Sequence, residues 1–280
     1  MRRIHVDQIT DAIARLAQET NYFLGEDVCQ RISARKEAES SDLAKDILSM
    51  IEQNINIAGE EGIPLCQDTG VACVFLEIGQ EVFLEGGWLV DAVNEGVRRG
   101  YDEGYLRKSV VNDPLRRINT NDNTPAFLHV DIVPGSQLKI TFAPKGFGSE
   151  NMSRVGMLTP SAGRKGVEDF VLETIRMAGG NPCPPIVVGV GIGGTFDQVT
   201  LLAKKALLRP LDQPNEDVYY AEMEEQLLTR INSLGIGPQG FGGDTTALAV
   251  KILTLPTHIA GLPVAVNINC HVARHKEMIL

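Results

Sequence analysis

Apolar residues recur at helical spacing through the first sixty positions. Ile9, Ile13, Leu16 and Ala17 fall at i, i+4, i+7 and i+8, a single stripe that predicts an amphipathic helix. Ser40-Ser41-Asp42 offers an N-cap to a second stripe of Leu43, Ile47, Ile51 and Ile55 or Ile57, which Gly62 and Pro64 end. Val71 to Ile78 is β-rich, and Leu89 to Gly100 returns to the helical period. Phe127 to Val133 and Leu138 to Phe142 alternate on either side of Pro134-Gly135-Ser136 and predict a hairpin. Helices are expected over 162–178, 197–208 and 217–234, and strands over 186–190, 247–252 and 264–268.

Helices dominate the start, and strands mix with helices later, so the pattern predicts an α+β fold. No repeat or low-complexity stretch interrupts residues 1–280, and 209–216 reads as a surface connection, so one domain is expected. Hydrophobic residues make up 43% and charged residues 22%, ordinary globular usage that excludes disorder. Lys and Arg number 26 against 36 Asp and Glu, a formal charge of −10. That balance gives no bulk attraction to nucleic acid or anionic membranes. An anionic substrate would need a local cluster of cations. No run reaches the ~18 apolar residues of a membrane span. The two arginines near the N-terminus precede no apolar stretch, so no export signal is expected either. A cytoplasmic enzyme or enzyme subunit is the expectation.

The five cysteines are an odd number and widely scattered, which suits thiols better than a disulfide framework. Cys29 on an amphipathic helix and Cys73 inside a strand read as small buried hydrophobes, as most free cysteines are. Cys66 and Cys183 directly precede strands, and Cys270 ends the last strand expected. Cys183 sits among Pro182, Pro184 and Pro185, an awkward packing position but one that fixes a thiolate. Either core packing or a shared metal group accommodates these three. Three thiolates would hold three irons of a [4Fe–4S] cluster and leave the fourth open as a Lewis acid.

The runs Cys66-Gln67-Asp68-Thr69-Gly70, Gly148-Ser149-Glu150-Asn151-Met152 and Asn181-Pro182-Cys183-Pro184-Pro185 resemble class I fumarate hydratase. So do Gly189-Val190-Gly191-Ile192-Gly193-Gly194-Thr195, Gly237-Pro238-Gln239-Gly240-Phe241-Gly242-Gly243 and Pro256-Thr257-His258-Ile259-Ala260. The likeness runs through nearly the whole chain. It is closest to the alpha subunit of the two-subunit form, with the L(+)-tartrate dehydratase alpha subunit as sibling. It implies reversible hydration of fumarate to (S)-malate, a step of the tricarboxylic acid cycle. It also implies a separate beta subunit, in a hetero-oligomer such as alpha2beta2.

The same resemblance implies Cys66, Cys183 and Cys270 as ligands of a [4Fe–4S] cluster. It carries over Gln67, Asp68, Arg107, Gly146, Gly148 and His258 as substrate contacts, with Asp68 and His258 as catalytic groups. A positioned carboxylate can handle a carbon-bound proton, and a guanidinium fork holds a carboxylate through two parallel hydrogen bonds. Read without the resemblance, Gln67 to Gly70 is turn chemistry, Arg107 a surface arginine and His258 a structural hydrogen-bonder. Phe147 departs from the run of glycines expected in the 146–148 loop.

Glycines at 189, 191 and 194 match G-x-G-x-x-G, but no second strand ends in an acidic residue about 20 positions on. A loop that lets chain segments pack tightly around the cluster is expected there instead of a dinucleotide site. Dehydration of L(+)-tartrate is the alternative in the same chemistry, and an iron–sulfur electron-transfer or redox-sensing protein and a cluster-free structural subunit are alternatives of other classes.

Overall fold

In the computed structural model, which describes residues 2–280, strands apolar on both faces take the interior positions of the sheets. From the N-terminus the elements are β1 (Arg2–His5), α1 (Val6–Tyr22), α2 (Glu26–Ala38), α3 (Asp42–Glu61), β2 (Val71–Gly79) and β3 (Val82–Glu85). Next come α4 (Leu89–Glu103), β4 (Phe127–Val133), β5 (Leu138–Lys145), the single turn α5 (Phe147–Glu150) and β6 (Arg154–Leu158). The remainder is α6 (Gly163–Ala178), β7 (Ile186–Gly193), α7 (Phe196–Ala206), α8 (Val218–Asn232), β8 (Ala247–Leu255), β9 (Leu262–Asn269) and β10 (Lys276–Ile279). The fold is α+β, as expected. None of the described helices is long and apolar enough to cross a membrane.

The chain forms two compact units, each discontinuous in sequence. The first comprises the residues up to Gly25, Ile55–Gly146 and Arg274–Leu280, and the second Glu26–Asn54 and Phe147–Ala273. In the first, the sheet order is β10-β5-β2-β4. Eight of the nine residues of β2 are buried, and the strand pairs with β5 antiparallel and with β4 in parallel. The hairpin expected between β4 and β5 therefore does not form. Alternation specifies a strand's faces but not its partner, and a strand as apolar as β2 gains more from an interior position with both edges paired. Val74, Leu76 and Ile78 of β2 pack with Ile9, Ile13 and Leu16 of α1 and Val93, Val97 and Tyr101 of α4. Gly96 and Gly100 let these two helices touch: a Cβ at either would meet an α1 carbonyl oxygen at 2.7 Å.

In the second unit the order is β6-β9-β7-β8, with every residue of β7 buried. β7 runs parallel to β8 and antiparallel to β9. Residues from α6 and α8 build the main core on this sheet, and Val199 and Ala203 of α7 pack with Ala265 of β9. β7 continues past Val190 to Gly193, so Gly189 and Gly191 lie inside the strand. A Cβ at Gly189 would run into the Ala203 carbonyl, and one at Gly191 into the Val199 carbonyl. The glycines seat α7 on β7, so they serve packing, but from inside a strand rather than from the expected loop around a cluster.

Between α2 and α3, the buried Glu39 carboxylate accepts N–H bonds from Ser40, Ser41, Asp244 and Thr245 at 2.9–3.2 Å. Burial alone would raise its pKa. The hydrogen bonds from Asp244, Ser41 and Thr245 outweigh burial and hold it below the ordinary glutamate value.

Gly189→Ala should lower stability by about 1–3 kcal/mol through overpacking, read as a fall in Tm. Gly261→Ala, whose nearest neighbour would be 3.8 Å away, should stay within about 0.5 kcal/mol. Equal melting of the two variants would contradict the close approach. Glu39→Gln should destabilise at pH 7 by about 1–3 kcal/mol. A depressed folded pKa gives stability that is present above the unfolded value, roughly 4.3, and is lost as pH falls through the folded one. Denaturant titrations should therefore show the wild-type advantage shrinking below about pH 4.

Candidate functional site

In the first unit, the segment between α3 and β2 carries Cys66, Gln67 and Asp68 in irregular backbone, so its polar groups need partners from elsewhere. The hydroxyl of Tyr101, fully buried on α4, donates to the carbonyls of Thr69 (2.9 Å) or Gly70 (3.1 Å). Asn123 Nδ2 donates to the Gly70 carbonyl at 3.2 Å, while its Oδ1 accepts the Ser109 N–H at 2.7 Å. Thr69 Oγ1 donates to the Arg107 carbonyl at 3.0 Å. Arg274 Nη2 donates to the Asp68 carbonyl at 2.8 Å. Burial raises the Tyr101 phenol well above its usual range, and the nearby Arg274 guanidinium pulls the other way.

Asp68 Oδ1 accepts the Gly70 N–H at 3.0 Å, which orients the carboxylate. Gly70 has a φ of 72°, and a Cβ there would lie 2.6 Å from the Lys145 backbone, so only glycine fits. A Cβ on Gly146 would stand 3.1 Å from Asp68 Oδ2, which places these two predicted residues together. Gln67 is exposed and Cys66 half-buried. The Arg107 side chain is exposed, and only its carbonyl is tied to the Cys66–Gly70 loop.

In the second unit, Cys183 enters β7 and Cys270 leaves β9. These strands are antiparallel, with Val187 opposite Asn269, so both cysteines lie at one end of the sheet. Cys183 is exposed and holds a φ of 53°, a region that residues with a Cβ seldom occupy. Its loop is braced from two sides. His271 Nδ1 lies 3.0 Å from the Cys183 carbonyl and 3.2 Å from Gln239 Nε2. Gln239 donates from its backbone N and its Nε2 to the Pro184 carbonyl, each at 2.8 Å. Gly148, in α5, approaches the Asn181 carbonyl of the same loop, 4.0 Å from its would-be Cβ.

His258 is placed differently. It follows β8, whose Leu255 pairs with Gly193 at the far end of β7. The length of the eight-residue β7 separates it from Cys183 and Cys270, about 25 Å. It is exposed, and its Nδ1 accepts the Ala260 N–H at 3.1 Å.

The five thiols divide by environment. Cys73 is 4% exposed inside β2. Burial, then the Asp27 carboxylate, raises the Cys29 thiol above its usual pKa, which disfavours the ligating thiolate. Cys183 is exposed and Cys66 and Cys270 are half-buried, all three on loops at strand ends; Cys29 is half-buried too, not buried as expected, and differs in lying on α2. Among the described residues no three His, Cys, Asp or Glu side chains gather around a single-ion position. A [4Fe–4S] cluster takes one thiolate per iron, so thiols are the donor type it binds. The chemistry of the three loop cysteines fits that group.

Sequence reasoning missed Tyr101, Asn123, Gln239 and Arg274, and it read His271, close to Cys270, as a surface or interface residue although it braces the Cys183 loop. Gln239 lies in a run already singled out, but nothing local marks Tyr101, Asn123 or Arg274. Tyr101 continues the apolar stripe of α4, and Arg274 reaches Asp68 across 206 positions.

A model of the fumarate hydratase family (Fumerase) matches residues 10–279. The chain is 45% identical over 269 residues to "Putative L(+)-tartrate dehydratase subunit alpha" of Methanocaldococcus jannaschii, with 94% of each chain covered. It is 32% identical over 269 residues to the L(+)-tartrate dehydratase subunit alpha of Escherichia coli strain UTI89, covering 95% of this chain and 88% of that one. The protein of the same name from Shigella sonnei is 30% identical over 279 residues, covering 98% and 91%.

Alkylation of the metal-free native chain should label Cys183 first, then Cys66 and Cys270, with Cys29 and Cys73 lagging. Peptide mass spectrometry reads the order. Early labelling of Cys73 would contradict this division of the thiols.

Proposed function

Because the chain belongs to the fumarate hydratase family of hydro-lyases, we propose that it is the alpha-type subunit of an enzyme hydrating fumarate to (S)-malate. The carrying observation is the division of the thiols: Cys66, Cys183 and Cys270 stand on braced loops at strand ends, while Cys29 and Cys73 do not. These three would hold a [4Fe–4S] cluster, whose open iron supplies a Lewis acid when bound.

The chain's own residues supply the rest. Dehydration of malate removes a proton from the carbon beside a carboxylate, and hydration returns it. Asp68, its carboxylate oriented by the Gly70 N–H, is the group that handles that proton. Arg107 presents a solvent-facing guanidinium that can fork a substrate carboxylate. Gln67 offers a side-chain amide, and Gly146 and Gly148 let a ligand approach the backbone with no side chain in the way. His258 stands a sheet's length from Cys183 and Cys270, so the substrate contact implied for it would serve a site of another copy. The relatives are named as alpha subunits, which supports a separate beta subunit completing the site in a hetero-oligomer such as alpha2beta2. A cytoplasmic location is proposed with it.

A second reading is L(+)-tartrate dehydration to oxaloacetate, favoured by the names of the relatives at 30–45% identity. (S)-Malate and L(+)-tartrate differ by one hydroxyl. Anaerobic co-expression with a beta subunit, followed by turnover assays on fumarate, (S)-malate and L(+)-tartrate, separates the readings.

The purified complex should contain about four iron and four sulfide per alpha chain. Air should remove iron and activity together. Cys66→Ser, Cys183→Ser and Cys270→Ser should each lose the cluster, and Cys29→Ser should keep it. A normal cluster in Cys183→Ser would sink the ligand assignment. Turnover of L(+)-tartrate alone would replace the substrate.

A further inference from the structure

Arg274 is 5% exposed, yet it makes no ion pair with any described residue. One of its nitrogens, Nη2, donates to the Asp68 carbonyl at 2.8 Å. Its Nε is buried with no hydrogen-bond partner. A guanidinium held out of water without a counter-charge is unfavourable, and its unmet N–H adds to the cost. Holding a backbone carbonyl does not require such a group. The neighbouring carbonyls of Thr69 and Gly70 are held by the neutral donors Tyr101 and Asn123. Arg274 adds a full positive charge and a spare donor directly behind the Cys66–Gly70 loop, in a chain whose net charge is −10.

We propose that Arg274 is the buried counter-charge for a small carboxylate anion bound at the Cys66–Gly70 loop. The donor left unmet in the chain alone and the charge left unpaired there have one common remedy, an anionic oxygen acceptor. The guanidinium is locked by burial and by its bond to Asp68, so no side-chain ordering is needed when the anion arrives. Arg107 differs, because its exposed side chain must be ordered on binding. The identity of the anion as a C4 dicarboxylate rests on the proposed function; the anion site itself does not.

The test compares wild type with Arg274→Met and Arg274→Lys in the co-expressed, anaerobically purified complex. Melting is followed without added anion and with (S)-malate, fumarate, L(+)-tartrate or sulfate, alongside iron content and kinetics. Arg274→Met removes a costly charge together with the donor to the Asp68 carbonyl, so its own anion-free Tm is the baseline for its anion shifts, and its iron content should be unchanged. Its malate-induced rise in Tm should vanish, and KM should increase about tenfold to a hundredfold, with kcat falling less. Arg274→Lys should keep most of the malate-induced shift.

A malate shift of wild-type size in Arg274→Met would mean that Arg274 only clamps the loop and would overturn the proposal. If Arg274→Met does not fold, Arg274→Lys decides: a retained shift supports the counter-charge and a lost one overturns it. A complex that turns over neither fumarate nor tartrate, yet shows an Arg274-dependent shift with malate or sulfate, would defeat the hydro-lyase reading alone. Turnover accompanied by an Arg274-independent shift would defeat this inference alone.

Discussion

A strand with apolar side chains on both faces has no side to show to water, so it must be covered above and below and paired along both edges. β2 and β7 are such strands, and each organises its unit. β2 separates β4 from β5 and receives α1 and α4 through close contacts at Gly96 and Gly100. β7 lies between β8 and β9 and accepts α7 because Gly189 and Gly191 leave no Cβ in the way. The segments of chemical interest are the loops at the ends of these strands. Cys66 to Gly70 enters β2, Cys183 enters β7, and Cys270 leaves the neighbouring β9.

An irregular loop beside a dry core carries backbone carbonyls that water does not reach, and each must find a donor. Tyr101, Asn123 and Arg274 meet this need in the first unit, and Gln239 and His271 brace the Cys183 loop in the second. The rigidity of the thiol-bearing loops thus comes from side chains with no reactive role of their own. Charge adds a second constraint. At −10, the protein attracts an anion only through local cations. Many of its arginines and lysines are already engaged in ion pairs such as Arg15–Glu19 and Lys165–Asp169, of which the exposed ones contribute little. Arg107 in solvent and Arg274 in the interior remain available beside the loop.

Much of the fold was legible because period and punctuation are local properties. The stripe of Ile9, Ile13 and Leu16, the cap at Ser41-Asp42 and the stop at Gly62-Pro64 locate α1 and α3 without any tertiary knowledge. Alternation likewise marked β4 and β5, yet their assignment as a hairpin failed. The turn between them is local, whereas the better partner for both, β2, lies about sixty positions away from each.

The chemistry-bearing residues divide along the same line. The sequence by itself supplied the family resemblance, the separation of Cys66, Cys183 and Cys270 from Cys29 and Cys73, and the reading of the β7 glycines as packing residues. Each depends on residue type and immediate neighbours. Tertiary structure alone decided which of these residues meet. His258 and Cys270 are only twelve positions apart, but the extended strand between them carries them to opposite ends of a sheet. Arg274 and Asp68 are 206 positions apart and in hydrogen-bond contact. Distance along a chain is set by local conformation, and contact across it by which surfaces water expels together.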